Sequence, residues 1–532
     1  MMIGDFGRLE ERDHAIEVAA RSIVSLCKQD RFGKGWRPKG VDEVAILLET
    51  LGYSQEIVEE LWYHDLFALA ADVAALVDKY VADERVDDRG DPSWFIRACR
   101  DYAVGSLYSG PWVVAVVGLF VFGAALWSAF DTPADLVVTA SLGVFAALVV
   151  SGFFTQAIAR KVTFSLFQDD HAMMNRVSAR YTARGALVLL ASAAVLSAAL
   201  VLVGGFPLQE SLLGGAYLLA SGIFQLSLAT LYTLRRFGTI LGIVAVTVVL
   251  SGIVFRLGFH GDVVKPWEPM VQAAVIGAVG IAVIAATARW LRQRSGGGPV
   301  GEPWWPAIDE SVRPYAIFGG LYFLAIVLDH VAAGLLHGGR IVYNARYEIA
   351  ADVALFAAVP LTGAMNVALE RLPPLIVGGA AQYAVGEEDA FNRRITRFFA
   401  RSVGAMALAA VLSWLVVVPL GDRLLPHVGG APADPTEMRV LALAAAAYAA
   451  LMLGLYACQV QFFLSRPAVP LAAAAAAVAV CGSVGAWAVI THAPDATPAY
   501  GLCAGTMLFA AVALGGAYRA VRSFASTYYA AY

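Results

Sequence analysis

Charge is what this sequence is short of. Only 15% of its 532 residues are Asp, Glu, Lys or Arg, while 59% are hydrophobic, and the mean hydropathy is +0.67. An average soluble domain carries about 25% charged residues. A water-soluble globular chain is therefore excluded, and a polytopic membrane protein is expected. Cysteine is also sparse: Cys27, Cys99, Cys458, Cys481 and Cys503 stand at no metal-ligand spacing, so neither a disulfide framework nor a zinc site is expected. Three of them lie in apolar runs, where Cys behaves as a small hydrophobe. A phosphate-binding loop is missing as well. The basic stretch Gly33-Lys34-Gly35-Trp36-Arg37-Pro38-Lys39-Gly40 lacks the Gly and Ser/Thr pattern such a loop needs. Any pumping would then draw on an ion gradient, the membrane potential or a partner, with no cofactor and no nucleic acid involved. Met1 to Glu17 is charged and without an apolar core, so no signal peptide is expected.

The net charge of −4 conceals a division. Residues 1–110 hold 21 acidic against 13 basic residues, and the remainder 21 against 25. The first 90 residues predict a soluble acidic helical cap with helices near 10–28, 41–52 and 54–83. In the last, Ile57, Leu61, Leu66, Leu69, Val73, Leu76 and Tyr80 recur at helical spacing. Asp42-Glu43 and Ser54-Gln55-Glu56 supply acidic or capping residues at helix starts. Residues 84–92 read as a linker and 91–110 as a linker or interfacial helix.

From 111 onward, apolar runs long enough to cross a bilayer recur near 111–130, 135–158, 185–204, 210–232, 237–257 and 269–291. After the tract 292–314 come six more, near 315–337, 347–375, 403–425, 438–463, 467–491 and 498–518, followed by a tail at 519–532. Connections on one side carry nineteen Lys or Arg, among them Arg160, Arg176, Arg235, Arg371, Arg394 and Arg466. The other side carries six, including Arg340, Arg346 and Arg439. That bias predicts cytoplasmic termini. The fold expected is all-α: twelve transmembrane helices with a small helical cytoplasmic domain in front.

The halves look duplicated. The loop after the second run reads Asp169-Asp170-His171-Ala172-Met173-Met174-Asn175-Arg176, and that after the eighth Glu387-Glu388-Asp389-Ala390-Phe391-Asn392-Arg393-Arg394, at a constant offset of 218. Because six spans is an even number, both copies start on the same side, giving parallel six-helix repeats with lobes at 111–291 and 315–518. Two such lobes around a central passage is an alternating-access transporter layout.

Runs seven and eight carry the residues that hydrocarbon tolerates least. Asp329 and His330 lie in one, Glu348 and Asp352 in the other, joined by a turn with Gly338, Gly339, Arg340 and Asn344. A charged group at mid-bilayer costs at least about 2.5–3.5 kcal/mol, so these should face protein, a partner or water. Folded as a hairpin, the pair places Asp329 and Asp352 at similar depth. They are candidate sites for a coupling proton, a cation or a cationic sugar; the plainer option is a structural salt bridge from Asp329 to Arg346 or His330. Gln225 and Gln459 could hydrogen-bond sugar hydroxyls, although polar residues within bundles more often join helices. Glu370, Arg371, Arg176 and Arg394 are candidates for a cytoplasmic gate. Pro360 and Pro373-Pro374 should kink the eighth span, and Gly-rich 213–222 and Ala-rich 471–480 should be close-packing surfaces.

Three stretches resemble a known family. Asp101-Tyr102-Ala103-Val104-Gly105-Ser106-Leu107-Tyr108-Ser109-Gly110-Pro111-Trp112-Val113 resembles the Ser-Gly-Pro-Trp entry to the first span of the PelG-like family of exopolysaccharide export membrane proteins. Asp329-His330 stands where that family tends to carry Asp-Lys. Tyr347-Glu348-Ile349-Ala350-Ala351-Asp352, Val359-Pro360 and Glu370-Arg371 are similar to its eighth span. The family sits among the multidrug/oligosaccharidyl-lipid/polysaccharide (MOP) flippases. The resemblance implies a non-enzymatic transporter that moves a Pel-like, amino-sugar-containing polymer or a lipid-linked saccharide across the bacterial inner membrane. Membrane lipids, a cytoplasmic glycosyltransferase and other export subunits would be its partners. An ion-coupled exporter of small cationic amphiphiles is the alternative. A membrane-embedded saccharide polymerase or ligase would want a large catalytic loop outside. The longest such loop, 426–437, offers only His427, Asp434 and Glu437.

Overall fold

A computed structural model of the chain describes residues 16–20, 22–24, 38, 40–50, 53, 58–59, 63–83, 94–122, 133–168, 170–258, 267–295, 303–336, 341–380, 388–429 and 434–529, and every structural statement concerns these. The chain divides into two compact units, Met1–Asp101 with Val367–Phe398, and Tyr102–Asn366 with Phe399–Tyr532.

The first unit holds the acidic segment. Helix α1 (Val41–Thr50) opens with Asp42 and Glu43, whose charges suit the positive end of the helix dipole. Helix α2 spans Leu66–Asp83. The single helix expected over 54–83 is interrupted at 63–65, because Asp65 accepts a bond from the Ala68 amide at 2.7 Å and starts a new helix there. Tyr63 then folds onto α2, donating to Asp72 at 2.5 Å. Ile23, Leu48, Leu69 and Val73 pack into a core fully closed to solvent. Each such side chain stabilises the folded state by about 1.5–3 kcal/mol. The basic stretch 33–40 lies almost wholly outside the described residues.

The second unit holds most of the apolar helices, and Val367–Phe398, within the helices that follow, counts with the first. An amphipathic α3 (Trp94–Ser106) leads to the apolar α4 (Gly110–Phe122). Then follow α5 (Ala134–Phe167), α6 (His171–Leu202), α7 (Leu208–Thr233), α8 (Phe237–Gly258) and α9 (Trp267–Arg294). The second half runs through α10 (Trp305–Leu335), α11 (Ala345–Ala354), a tight 3₁₀ turn at Leu355–Ala358, α12 (Val359–Ala380), α13 (Glu388–Gly429), α14 (Pro435–Phe463), α15 (Ala468–Thr491) and α16 (Thr497–Arg522), with a short α17 (Phe524–Tyr529) behind. Eleven helices among the described residues are long and apolar enough to cross a membrane, counting α11 to α12 as one.

Several helices outrun their apolar cores. Residues 171–181 are the first turns of α6 rather than a loop, and 388–399 open α13 in the same way. Basic side chains thus stud helical extensions, where their long stems can lie along the helix while the charges stay in water. Likewise α10 starts at Trp305, so the connection between halves is shorter than 292–314. The break before α12 has a simple cause. Pro360 has no amide hydrogen to give the Phe356 carbonyl, so the helix tightens over 355–358 before it resumes. Pro373 and Pro374, in contrast, lie within α12 without ending it.

The repeat is legible in the helix ends. Helices α6 and α13 begin one residue from the sequence offset of 218. The turns after α7 and α14 carry the same cap. Arg235 has φ 56° and Ser465 φ 53°. Arg236 donates its amide to Leu231 and Arg466 to Gln461, closing equivalent i−5 bonds.

Small residues set the spacing, as 213–222 predicts. A Cβ on Gly214 would fall 2.8 Å from the Thr139 carbonyl oxygen, and one on Gly215 would fall 3.0 Å from that of Ala193, so α7 nests between α5 and α6. Ala473, Ala474 and Ala477 are buried in the same manner. Between lobes, α5 meets α10 at Gly152 and Gly319: a Cβ on Gly152 would lie 2.8 Å from the Gly319 oxygen.

Candidate functional site

The acidic hairpin forms one cluster, in a register differing by one turn from the simple expectation. Asp329 and His330, adjacent on α10, face Tyr347 and Glu348, adjacent on α11. The Tyr347 hydroxyl donates to Asp329 Oδ2 at 2.6 Å, and His330 Nδ1 lies 2.6 Å from Glu348 Oε2. Asp352 sits one turn further along α11, about 6 Å from the Glu348 level, within electrostatic reach of Glu348 and His330. The turn accounts for the offset: Val342 folds back to donate to the Gly334 carbonyl, and Asn344 caps α11 by accepting from the Tyr347 amide. Tyr347 is thus pinned by the same cap that starts its helix.

Burial makes this arrangement consequential. Asp329 is 1% exposed and His330 9%. Asp329 Oδ1 has no hydrogen-bond partner among the described residues, its nearest charged neighbour being His330 Nε2 at 3.9 Å. A buried carboxylate oxygen without a partner costs about 1–3 kcal/mol, and such orphans mark places where an ion, a proton or water is handled. Tyr448 of α14, 2% exposed, stands within reach of Asp329, Glu348 and Asp352. From the other lobe, the Phe145 ring of α5 lies 5.1 Å from the His330 imidazole, centre to centre. The titratable cluster of one lobe therefore bears directly on a helix of its neighbour.

Other candidates lie elsewhere. Arg346 points away: it is exposed, 3.2 Å from Asp434 and 3.5 Å from Glu437. Two residues along a helix is a rotation of about 200°, which puts Arg346 opposite Glu348. A salt bridge from Asp329 to Arg346 is thereby excluded. Asp434 and Glu437 form the capping box of α14, which occupies the acids of the 426–437 connection. Gln225 takes a 2.5 Å bond from Ser151, joining α5 to α7 within the first lobe. Gln459 is half-buried on α14, about 16 Å along the helix from Tyr448. Arg176 is on α6, Glu370 and Arg371 are on α12, and Arg394 is on α13. Among the described residues no set of His, Cys, Asp and Glu is arranged to hold a metal ion.

A second group of contacts closes the lobes together at the side where α4, α6 and α8 begin. Arg160 of α5 donates to the Phe462 carbonyl at 3.3 Å and to Ser465 Oγ at 3.0 Å. Arg235 reaches Asn366 of α12 at 3.4 Å, and Ser109 and Thr362 share a buried 3.0 Å hydrogen bond. Gly105 abuts Asn366 and Thr362, where a Cβ would fall 2.8 Å from the Thr362 oxygen. Asp309, near the start of α10, accepts from Tyr181 at 2.7 Å and Arg184 at 2.9 Å.

Sequence reasoning missed Tyr347, Tyr448 and Phe145. Tyr448 left a trace, as the lone large residue in Ala444–Ala450. Phe145 left none.

Neither family models nor curated proteins match the chain. Solved structures do. The fold resembles an outward-facing multidrug-resistance MATE transporter of the MOP superfamily, with TM-score 0.55 and 10% identity over 82% of this chain and 98% of that one. It also resembles a MATE transporter of Vibrio cholerae (0.51, 15%, 81% and 99%) and a MOP-superfamily transporter of Pyrococcus furiosus (0.50, 12%, 81% and 97%). At such identities the likeness defines the fold. The chain is a multi-pass membrane protein with a MATE-like fold of two repeats. Its structural neighbours are transporters.

Proposed function

We propose that the chain is an ion-coupled, alternating-access exporter of saccharide, moving a Pel-like amino-sugar polymer or a lipid-linked saccharide across the bacterial inner membrane with both termini in the cytoplasm. One observation carries the coupling: the buried Asp329–His330–Glu348 cluster touches the opposite lobe through Phe145. A proton or cation taken up there changes the charge of a group packed against the lobe contact. It can therefore bias which way the lobes rock, as coupling by differential affinity requires. His330 is the group of the cluster that becomes positively charged when it takes up a proton. The groups facing it are Asp329, Glu348, Asp352, Tyr347 and Phe145.

Support for saccharide comes from the entry motif. Gly105 and Ser109, in the stretch resembling PelG-like exporters, sit in the contact between lobes. On this reading Asp329, Glu348 and Asp352 favour a partly cationic polymer electrostatically. Arg176, Glu370, Arg371 and Arg394 serve the cytoplasmic gate, and a glycosyltransferase hands the polymer over. The fold of multidrug transporters favours a second reading, an exporter of small cationic amphiphiles. The experiment is one strain assayed two ways. Expression of the chain, but not Asp329→Asn, should restore polymer secretion in a host lacking its exporter, without raising resistance to ethidium. Raised resistance with no secretion would replace the first reading by the second.

A further inference from the structure

The turn between α7 and α8 sends two neighbouring arginines to different tasks. Arg235, held at φ 56°, reaches Asn366 between the lobes. Arg236 instead lies against Trp290 of α9, its guanidinium carbon 5.5 Å from the ring centre. Arg294, from the last turn of α9, lies 4.2 Å from the centre of the same ring. Two guanidinium groups thus share one indole. Arg289 and Arg292 stand on the same helix end.

These four cations, Arg236, Arg289, Arg292 and Arg294, are all exposed. Among the described residues none has a carboxylate within ion-pairing distance. Nearby cations on the same side are matched: Arg184 with Asp309 at 2.9 Å and Arg313 with Glu310 at 2.9 Å. From Ile281 to Ser295 the chain has no acidic residue at all. Gathering four positive charges without an internal counterion is unfavourable unless an external anion supplies one. The helices that carry them also define where the site lies. Helices α8 and α9 expose Val246, Val249, Leu250, Ile253 and Ile281 outward, a surface suited to acyl chains. A planar ring between a charged rim and an apolar wall is the usual interfacial position of tryptophan.

We propose that Arg236, Trp290 and Arg294 form a binding site for the phosphate headgroup of an anionic phospholipid, with Arg289 and Arg292 adding to its field and the acyl chains lying along α8 and α9. Paired guanidinium groups fit phosphate oxygens by geometry as well as charge, and basic clusters at this side of membrane helices attract anionic lipid. The site is independent of what the protein transports.

The test uses the full chain purified in detergent and titrated with phosphatidylglycerol or phosphatidylcholine, bound lipid being counted by native mass spectrometry. Wild type should retain one phosphatidylglycerol in preference to phosphatidylcholine. The pair Arg236→Gln and Arg294→Gln should weaken phosphatidylglycerol at least tenfold and leave phosphatidylcholine unchanged. Arg236→Lys, which keeps charge but not the planar fork, should fall between. The control pair Arg519→Gln and Arg522→Gln removes two exposed arginines from α16 and should have no effect. Equal loss in the control, unchanged affinity in the Arg236/Arg294 pair, or no preference in wild type would each overturn the site. Should the double variant fail to fold, Arg236→Lys and Trp290→Leu decide: wild-type phosphatidylglycerol affinity in both overturns it, and a drop in both supports it.

Discussion

Arg160 donates to Ser465, 3.0 Å away, and so fastens the second span of one repeat to the turn that follows the fourth span of the other. The reciprocal contact exists: Asn366, in the second span of the second repeat, meets Arg235 in the turn after the fourth span of the first. Both turns carry the left-handed cap that aims them across the lobe boundary. The repeat thus produces a closure with two related latches on one side. A hydrogen bond to a charged group contributes about 1.5–3 kcal/mol, and these partly exposed ones less. Losing even 1.4 kcal/mol shifts a two-state balance tenfold. In Arg160→Ala, spin labels at Gln168 and Pro467 should therefore show a new population at longer separation. An unchanged distance distribution would deny the latch.

Gly152 and Gly319 make the tightest approach between α5 and α10. Even Ala is too large at either: its Cβ would fall inside contact distance of backbone on the facing helix, which must move, and Leu forces the helices further apart. Gly319→Leu should insert normally yet lose at least nine-tenths of transport, and disulfide trapping of cysteines placed at Phe153 and Gly320 should fail. Efficient trapping in that variant would show that the helices do not need this spacing.

The membrane fold was legible because bilayer physics leaves few options. Apolar runs of the right length must be helices, and basic residues mark one side. The duplication was legible from paired acidic-basic segments, whose positions the starts of α6 and α13 keep. Helix length was not, since the extensions 171–181 and 388–399 are amphipathic and read as connections. In the site, Asp329, His330, Glu348 and Asp352 stood out because hydrocarbon makes each of them costly. Their pairing was hidden. Symmetry about the turn suggested Asp329 opposite Asp352, but the fold-back at Val342 and the Asn344 cap shift α11 by a turn, which brings Tyr347 to Asp329. Arg346 misled because proximity in sequence says nothing of which side of a helix a residue occupies. Phe145 could not have been found, since nothing local distinguishes it from the other aromatics of an apolar span.

The Tyr347 bond separates stability from coupling. Tyr347→Phe removes the hydrogen bond that Asp329 Oδ2 accepts, which should cost about 1–3 kcal/mol and lower the thermal midpoint measurably. Asp329→Asn keeps an acceptor for Tyr347 and removes the charge, so it should fold near normally and abolish ion-driven transport. If both variants lost stability and activity in the same proportion, the carboxylate would be a structural group only.

The acidic domain should fold on terms of its own. Leu69 lies at its centre with no exposure. Leu69→Asp places a carboxylate there and should remove most of the domain's stability, which burial of a few side chains supplies at about 1.5–3 kcal/mol each. Limited proteolysis should then cut between residues 40 and 83 while the spans stay protected in detergent. Loss of protection in the spans would make the domain integral to the membrane part.

On the proposed coupling, the charge of His330 beside Glu348 sets its sign. Below the titration point of His330 the imidazolium and the Glu348 carboxylate attract, holding α10 and α11 together; as pH rises through it the charge is lost and the clasp weakens to a neutral hydrogen bond. Because Phe145 of the opposite lobe rests on the same ring, the change is felt where the lobes meet. Transport by wild type, measured as a function of pH, should therefore vary severalfold. His330→Gln, which retains a hydrogen bond to Glu348 but cannot be charged, should give a flat profile at reduced rate. Glu348→Gln should flatten it too, since an uncharged partner no longer distinguishes the two states of the imidazole. A steep profile surviving in both would move the coupling step to another group, Asp352 being the next in reach.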